Sequence, residues 1–166
     1  MTDENKFDKM DYFFMNEAIY EARIARLIEE VPVGCVIVYD QKIIARGHNY
    51  TYKGKSALYH AEMIAIKKAN EYIGDFRLED CTMYVTMEPC SMCAGAIINS
   101  RFKRLVIGLR DDKRGACGSH TNITGDRKQL FYLDAEFGLM ADQSLYELQS
   151  FFKMLRARSK KKKQEE

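Results

Sequence analysis

Met15, Ala18, Ile19, Ala22 and Ala25 recur at i, i+3, i+4, i+7 and i+10, one apolar stripe of an amphipathic first helix over residues 8–29. Two β-branched-rich runs follow, 33–39 and 42–47, and Asp40-Gln41 between them predicts a hairpin. Residues 49–59 are polar, include Gly54 and read as a loop. A helical period returns over 60–72, where Glu62, Ala65, Ile66, Ala69 and Ile73 share a face, so the Glu62 carboxylate turns inward. Residues 82–86 predict a buried strand running into Glu88-Pro89-Cys90, and 91–100 a short helix whose Ala94, Gly95 and Ala96 permit close packing. A strand over 104–109, a glycine-bearing loop over 111–124, a strand over 130–137 and a last helix over 139–161 complete the chain. These elements predict an α/β fold, a three-layer α/β/α sandwich around one central mixed sheet of five strands.

At 166 residues, 46% of them apolar, the chain can bury one proper core and is too short for two ordinary domains. With no repeat, no linker and only two prolines, it reads as a single domain over 1–158 followed by a basic, frayed tail over 159–166. No apolar run approaches the length of a membrane span. The acidic, polar start Met1-Thr2-Asp3-Glu4-Asn5 has neither the basic nor the apolar part of a secretion signal, so a cytoplasmic protein is expected. An odd set of five cysteines then reads as a metal pair plus three free thiols, with Cys35 and Cys81 as packing residues. Net charge is only +2, but basic residues gather in the tail (Lys153, Arg156, Arg158, 160–163) and in a second group, Arg101, Lys103, Arg104, Arg110, Lys113 and Arg114. Both groups are open to a solvated-surface reading as well as a nucleic-acid one.

The candidate chemistry lies in His60-Ala61-Glu62 and Pro89-Cys90-Ser91-Met92-Cys93. Cysteines three apart at a helix start can reach one metal, and Pro89 suits the entry to a helix. His60 and Glu62 would face apart in mid-helix but can converge at an N-terminal tip. A Cys-x-x-Cys alone would also fit a redox pair or half of a structural zinc knuckle. A structural zinc wants four ligands, and Cys117, His48 and His120, the nearby candidates for a fourth, lack ligand-pair spacing. His60, Cys90 and Cys93 therefore predict a catalytic zinc with one position left for water, and Glu62 a spare carboxylate beside it. Zinc lowers the pKa of such a water from about 15.7 toward roughly 7, and Glu62 can shuttle the proton. Hydroxide attack on an amidine-like ring carbon with loss of ammonia uses all of these parts.

His-x-Glu followed by Pro-Cys-x-x-Cys is the signature of the zinc-dependent nucleobase and nucleoside deaminases, so the assignment of roles is that family's. Further segments resemble its bacterial tRNA-specific adenosine deaminases: Glu30-Val31-Pro32-Val33-Gly34, Gly47-His48-Asn49, residues 84–90 and 92–97, Gly115-Ala116-Cys117-Gly118-Ser119 and 151–156. The resemblance runs from Tyr12 to Arg158. It implies the cytidine-deaminase-like fold, one Zn2+ per chain, a homodimer, and conversion of adenosine to inosine at the wobble position in a tRNA anticodon loop. It also implies substrate-binding roles for Asn49, Val33 and Pro89. Two segments depart from the family's pattern, Ser56-Ala57-Leu58-Tyr59 and Leu130-Phe131. A deaminase of a free nucleobase or nucleotide, of guanine or cytosine type, and a non-enzymatic zinc-stabilised interaction module stand as alternatives. Tyr50, Tyr52 and Tyr59 beside Lys53 and Lys55 could stack bases and hold phosphates, or be ordinary loop residues.

Overall fold

The computed structural model describes residues 6–165, so the acidic segment 1–5 lies outside the described residues. Helix α1 (Lys9–Leu27) starts behind Asp8, whose carboxylate accepts from the Asp11 N–H at 2.8 Å while Asp11 accepts from the Asp8 N–H at 3.0 Å. This reciprocal pair satisfies donors that a helix start otherwise leaves unpaired. The predicted stripe from Met15 to Ala25 is buried throughout. Strands β1 (Gly34–Tyr39) and β2 (Lys42–His48) form the predicted hairpin. Asp40 and Gln41 both take positive φ, 47° and 57°, as a two-residue turn with the twist of its strands requires.

The rest of the chain is α2 (Thr51–Gly54), α3 (Ala61–Ile73), β3 (Thr82–Met87), α4 (Ser91–Asn99), β4 (Arg104–Leu109), β5 (Glu136–Phe137) and α5 (Ala141–Glu165). The sheet order is β2-β1-β3-β4-β5, antiparallel through the first three strands and parallel through the last three. Alternate residues separate two cores. Cys35, Ile37, Met83, Val85, Leu105 and Ile107 lie under α3 and α4, whereas Val36, Val38, Tyr84 and Val106 lie under α1. With α5 beside α1, the result is the expected three-layer sandwich around a mixed five-stranded sheet. Cys35 and Cys81 are packing residues within it, 0% and 1% exposed. No helix among the described residues is long and apolar enough to cross a membrane.

Three elements differ from the sequence-based expectation. The loop over 49–59 contains the short α2, closed by Lys55 in the left-handed region. The strand over 130–137 shrinks to two residues, because Leu133 N–H is taken by the Thr124 carbonyl and Gln129 N–H by Asp126, which commits this backbone to turns. The tail over 159–166, expected to fray, continues α5 through Glu165; its Lys, Gln and Glu residues are good helix formers and no Gly or Pro interrupts them.

Two glycines set how closely the helices approach. A Cβ at Gly34 would stand 1.9 Å from the Ala18 carbonyl oxygen, and one at Gly47 2.1 Å from that of Ala61. The first seats α1 on the sheet, and the second seats the start of α3 against β2. On the α1 side, the buried Asp11 ties three elements together. It accepts from Tyr84 Oη at 2.6 Å and from Arg104 Nη1 at 2.5 Å, and Arg104 also binds Glu136 at 2.6 Å. Burial pushes the Asp11 carboxyl up, but the hydrogen bonds from Arg104, Tyr84 and the Asp8 backbone prevail and hold it below its ordinary value of 3.8.

Asp11→Ala should therefore cost about 3 kcal/mol, the low end for breaking a buried pair, since Arg104 keeps Glu136. A depressed carboxyl stabilises above its unfolded value. The gap between wild type and variant should thus be full above pH 3.8 and close as pH falls through the lower folded value. Urea midpoints measured from pH 3 to 7 test both the size and the direction.

Candidate active site

One edge of the sheet gathers the start of β1, the end of β2 and the ends of the parallel strands β3 and β4. Helices α3 and α4 both begin there, with His60 and Cys90 as their N-cap residues. Both N-caps have extended backbone, and neither side chain caps its own helix. Their side chains instead point at each other. His60 Nδ1 lies 3.6 Å from Cys90 Sγ and 3.5 Å from Cys93 Sγ. Tetrahedral zinc at about 2.1 Å from nitrogen and 2.3 Å from sulfur places these atoms about 3.6 Å apart, so the donor set has the size of a zinc site. No fourth His, Cys, Asp or Glu joins the group among the described residues. His48 is instead bonded through Nδ1 to Glu21 at 2.8 Å, and Cys117 is buried in the core.

Glu62, in the first turn of α3, is 3% exposed. Burial lifts its carboxyl to about 7, against the pull of its own backbone N–H and of His60. Cys90 is held as thiolate, down at about 3, first by the hydrogen bond from the Cys93 thiol and then by His60, against burial. Cys93 is pushed up, first as donor to Cys90 and then by burial. The start of α4 adds a positive dipole end that favours thiolate.

These groups open into a cleft of about 620 Å³. Its walls include Val33, Asn49, His60, Glu62 and Cys90, which the sequence singled out. Asn49 Oδ1 accepts from the Ala61 N–H at 3.0 Å, capping α3 in place of His60. That bond fixes the amide orientation and leaves the Asn49 NH2 without a protein partner among the described residues. Pro89 does not line the cleft: it is buried, and its carbonyl accepts from the Ala116 N–H at 2.8 Å. The tyrosines divide, with Tyr52 at the cleft and Tyr50 and Tyr59 packed together on the outer side of the same loop. The second basic group divides too. Arg104 is paired internally, Arg101 and Arg110 lie over Phe131 and Phe137, and only Lys113 and Arg114 reach the cleft.

Several residues of the cleft escaped the sequence reading. Glu88 is 4% exposed and accepts from the N–H groups of Asp111, Cys117 and Ser119, each at 3.0 Å, which shapes the loop carrying Asp111, Lys113 and Arg114. An acid ending a buried apolar strand was the available signal. Glu30, 1% exposed, accepts from the Lys53 N–H at 2.7 Å and holds the opposite lip. Leu148 and Phe152 of α5 close the third side, ending an apolar stripe whose partner could not be read from the chain.

Residues 8–109 match the family described as the cytidine and deoxycytidylate deaminase zinc-binding region. The chain belongs to this family. Among curated relatives, a tRNA-specific adenosine deaminase of Streptococcus pyogenes serotype M18 is 41% identical over 148 residues, 89% of this chain and 93% of the relative. Another, of Bacillus subtilis strain 168, is 39% identical over 150 residues, 90% of this chain and 93% of the relative. A solved structure described under A-to-I editing by tRNA:A34 deaminases at the wobble position superposes with a TM-score of 0.79 at 39% identity, covering 82% of this chain and 99% of that one. For this zinc-binding deaminase, His60, Cys90 and Cys93 are positioned to hold the ion.

Loading zinc must displace the raised Cys93 proton. Uptake by metal-free deaminase should strengthen as pH rises through neutrality and release between about one and two protons per ion. Calorimetry in buffers of different ionisation enthalpy reads this directly, and uptake without proton release would count against thiolate ligation.

Proposed function

We propose that this deaminase hydrolyses adenosine to inosine at the wobble position of tRNA, with Glu62 as its proton shuttle. The observation that carries the reading is a buried carboxylate beside a three-ligand zinc group in a cleft rimmed by Lys113 and Arg114. The 41% identity to a tRNA-specific adenosine deaminase across nearly the whole chain supports it. A deaminase of a free base needs no cationic rim, so the second reading gains nothing from the cleft.

Bound zinc supplies a Lewis acid that makes water nucleophilic near neutral pH. Glu62 takes a proton from the attacking water and delivers it to the departing amino group. A carbon–oxygen bond forms at adenine C6, the carbon–nitrogen bond breaks, and ammonia leaves. Burial raises the proton affinity of the Glu62 carboxyl above that of an ordinary glutamate, which suits a group that must both accept and return a proton. Asn49, its oxygen committed to α3, offers its NH2 to an acceptor on the base. Val33 forms apolar wall beside it, and Pro89 acts indirectly by fixing the entry to α4.

The reading extends to a homodimer acting in the cytoplasm. Support for the dimer is an apolar groove of about 680 Å³ on the outer side of α3, lined by Tyr50, Leu58, Tyr59, Met63 and Ile64 among others. Leu58 is 58% exposed, and the loop bearing it supplies Ala57 and Tyr52 to the cleft, so a second copy seated here would brace the cleft wall.

Incubation with an adenosine-bearing anticodon stem-loop should yield inosine and ammonia, while free bases should yield neither. Product from free bases alone would replace this reading with the second one. Glu62→Gln should retain zinc and lose roughly a thousandfold in turnover, within the range for general acid–base catalysis; metal content and rate on one preparation decide it. Met63→Glu should run at half the wild-type mass by light scattering, and a persisting dimer would place the interface elsewhere.

A further inference from the structure

Helix α5 serves the domain only over its first half. Leu148 and Phe152 face the cleft and Phe151 is buried, but every residue from 155 to 164 is exposed. That half contains Arg156, Arg158 and Lys160, Lys161, Lys162 and Lys163, and no acid. Like charges at helical spacing repel, and a projecting cationic helix gains nothing from packing. The order of the cations is specific. Lys153, Arg156, Lys160 and Lys163 fall at i, i+3, i+7 and i+10, a straight stripe about 15 Å long. Arg158 and Lys162 lie on the opposite face. Arg158 pairs with Glu29, directly before the cleft residues Glu30 and Val31, so the arm passes close to the lip.

We infer that this stripe binds the sugar–phosphate backbone of the RNA outside the nucleotides held in the cleft. The inference rests on the RNA reading above. The helix runs from the cleft wall at Phe152 to Lys163, about 16 Å farther on, so its cations meet phosphates remote from the target base. Such contacts carry no sequence information; they fix position and add affinity that salt erodes. Together with Lys113 and Arg114 at the opposite lip, they give the RNA backbone two points of support flanking the cleft.

The test compares wild type, a stripe variant (K153A/R156A/K160A/K163A) and a face control (K161A/K162A) on an adenosine-bearing anticodon stem-loop across 50–200 mM salt. Zinc content and thermal midpoint are matched first, to show that each protein is folded. The slope of log affinity against log salt should fall in magnitude by about 3 for the stripe variant, from four lost contacts at 0.7–0.9 each, and by less than 1 for the control. Over a fourfold change in salt, that difference of about 3 amounts to a roughly sixtyfold divergence in affinity. Equal slopes for wild type and stripe variant would overturn the inference, as would an equal loss per charge removed in the two variants, which would mark a diffuse charge effect. Wild-type protein that neither binds nor deaminates the stem-loop would instead overturn the RNA reading itself.

Discussion

The separations of 3.5 and 3.6 Å between one imidazole nitrogen and two sulfurs depend on two helices beginning at the same point in space. His60 and Cys93 are far apart in sequence, and only the sheet brings them together. Strand β3 delivers Cys90 at its end, and the antiparallel hairpin turns the chain so that α3 starts on the same edge. Gly47 is part of this arrangement, since a side chain there would collide with the first carbonyl of α3 and displace His60. The N-cap position suits the ligands for a second reason. A side chain that caps its own helix turns back onto the backbone; one that binds metal must turn away. The chain resolves the conflict by letting Asn49 cap α3 from outside, so the residue whose NH2 faces the cleft also holds the helix that carries His60 and Glu62.

Glu62 belongs at once to the core and to the candidate site. It lies on the buried face of α3 with Ala65, Ile66 and Ala69, and its proton affinity rises because that face is dry. The neighbours in this layer are small: Ala61, Ala65, Ala69 and Ala94 let α3 and α4 approach the sheet closely. Larger side chains there would separate the helices and admit water, weakening both the metal geometry and the desolvation that tunes the carboxyl.

Local patterns were legible in the sequence, and spatial ones were not. The stripe of α1, the Asp40-Gln41 turn and the strands before Cys90 and after Lys103 each follow from spacing within a single segment, whereas it is the family signature that joins His60 to Cys90 and Cys93. What spacing could not convey was which remote segments share a cleft. Leu148 and Phe152 belong to the last helix, and nothing in their spacing shows that α5 folds back beside the site. The segment over 130–137 has strand-like residues, but its hydrogen bonds go to the preceding loop, a tertiary preference that overrides propensity. The basic group from Arg101 to Arg114 looked like one patch along the chain. Folding sends half of it into internal pairs and aromatic contacts, because consecutive positions on a strand and its loop face different ways.

A cleft for a polyanion that contains four carboxylates poses an electrostatic problem. Glu30, Glu62, Glu88 and Asp111 all line it, and four bare negative charges would repel phosphates. Backbone donors offset part of that field. Glu88 accepts three N–H groups, Glu30 accepts one from Lys53, and Asp111 accepts from Lys113 and Arg114 at 3.0 and 3.1 Å. Glu62 is screened differently, by a burial that favours its neutral form. The acids therefore act as struts for the lips of the cleft more than as charges. The same bonds that quench Asp111 orient the backbone from which Lys113 and Arg114 project. A net charge of +2 hides this arrangement, because what an approaching phosphate meets is the local balance at the rim: fixed cations outside, and carboxylates already satisfied within.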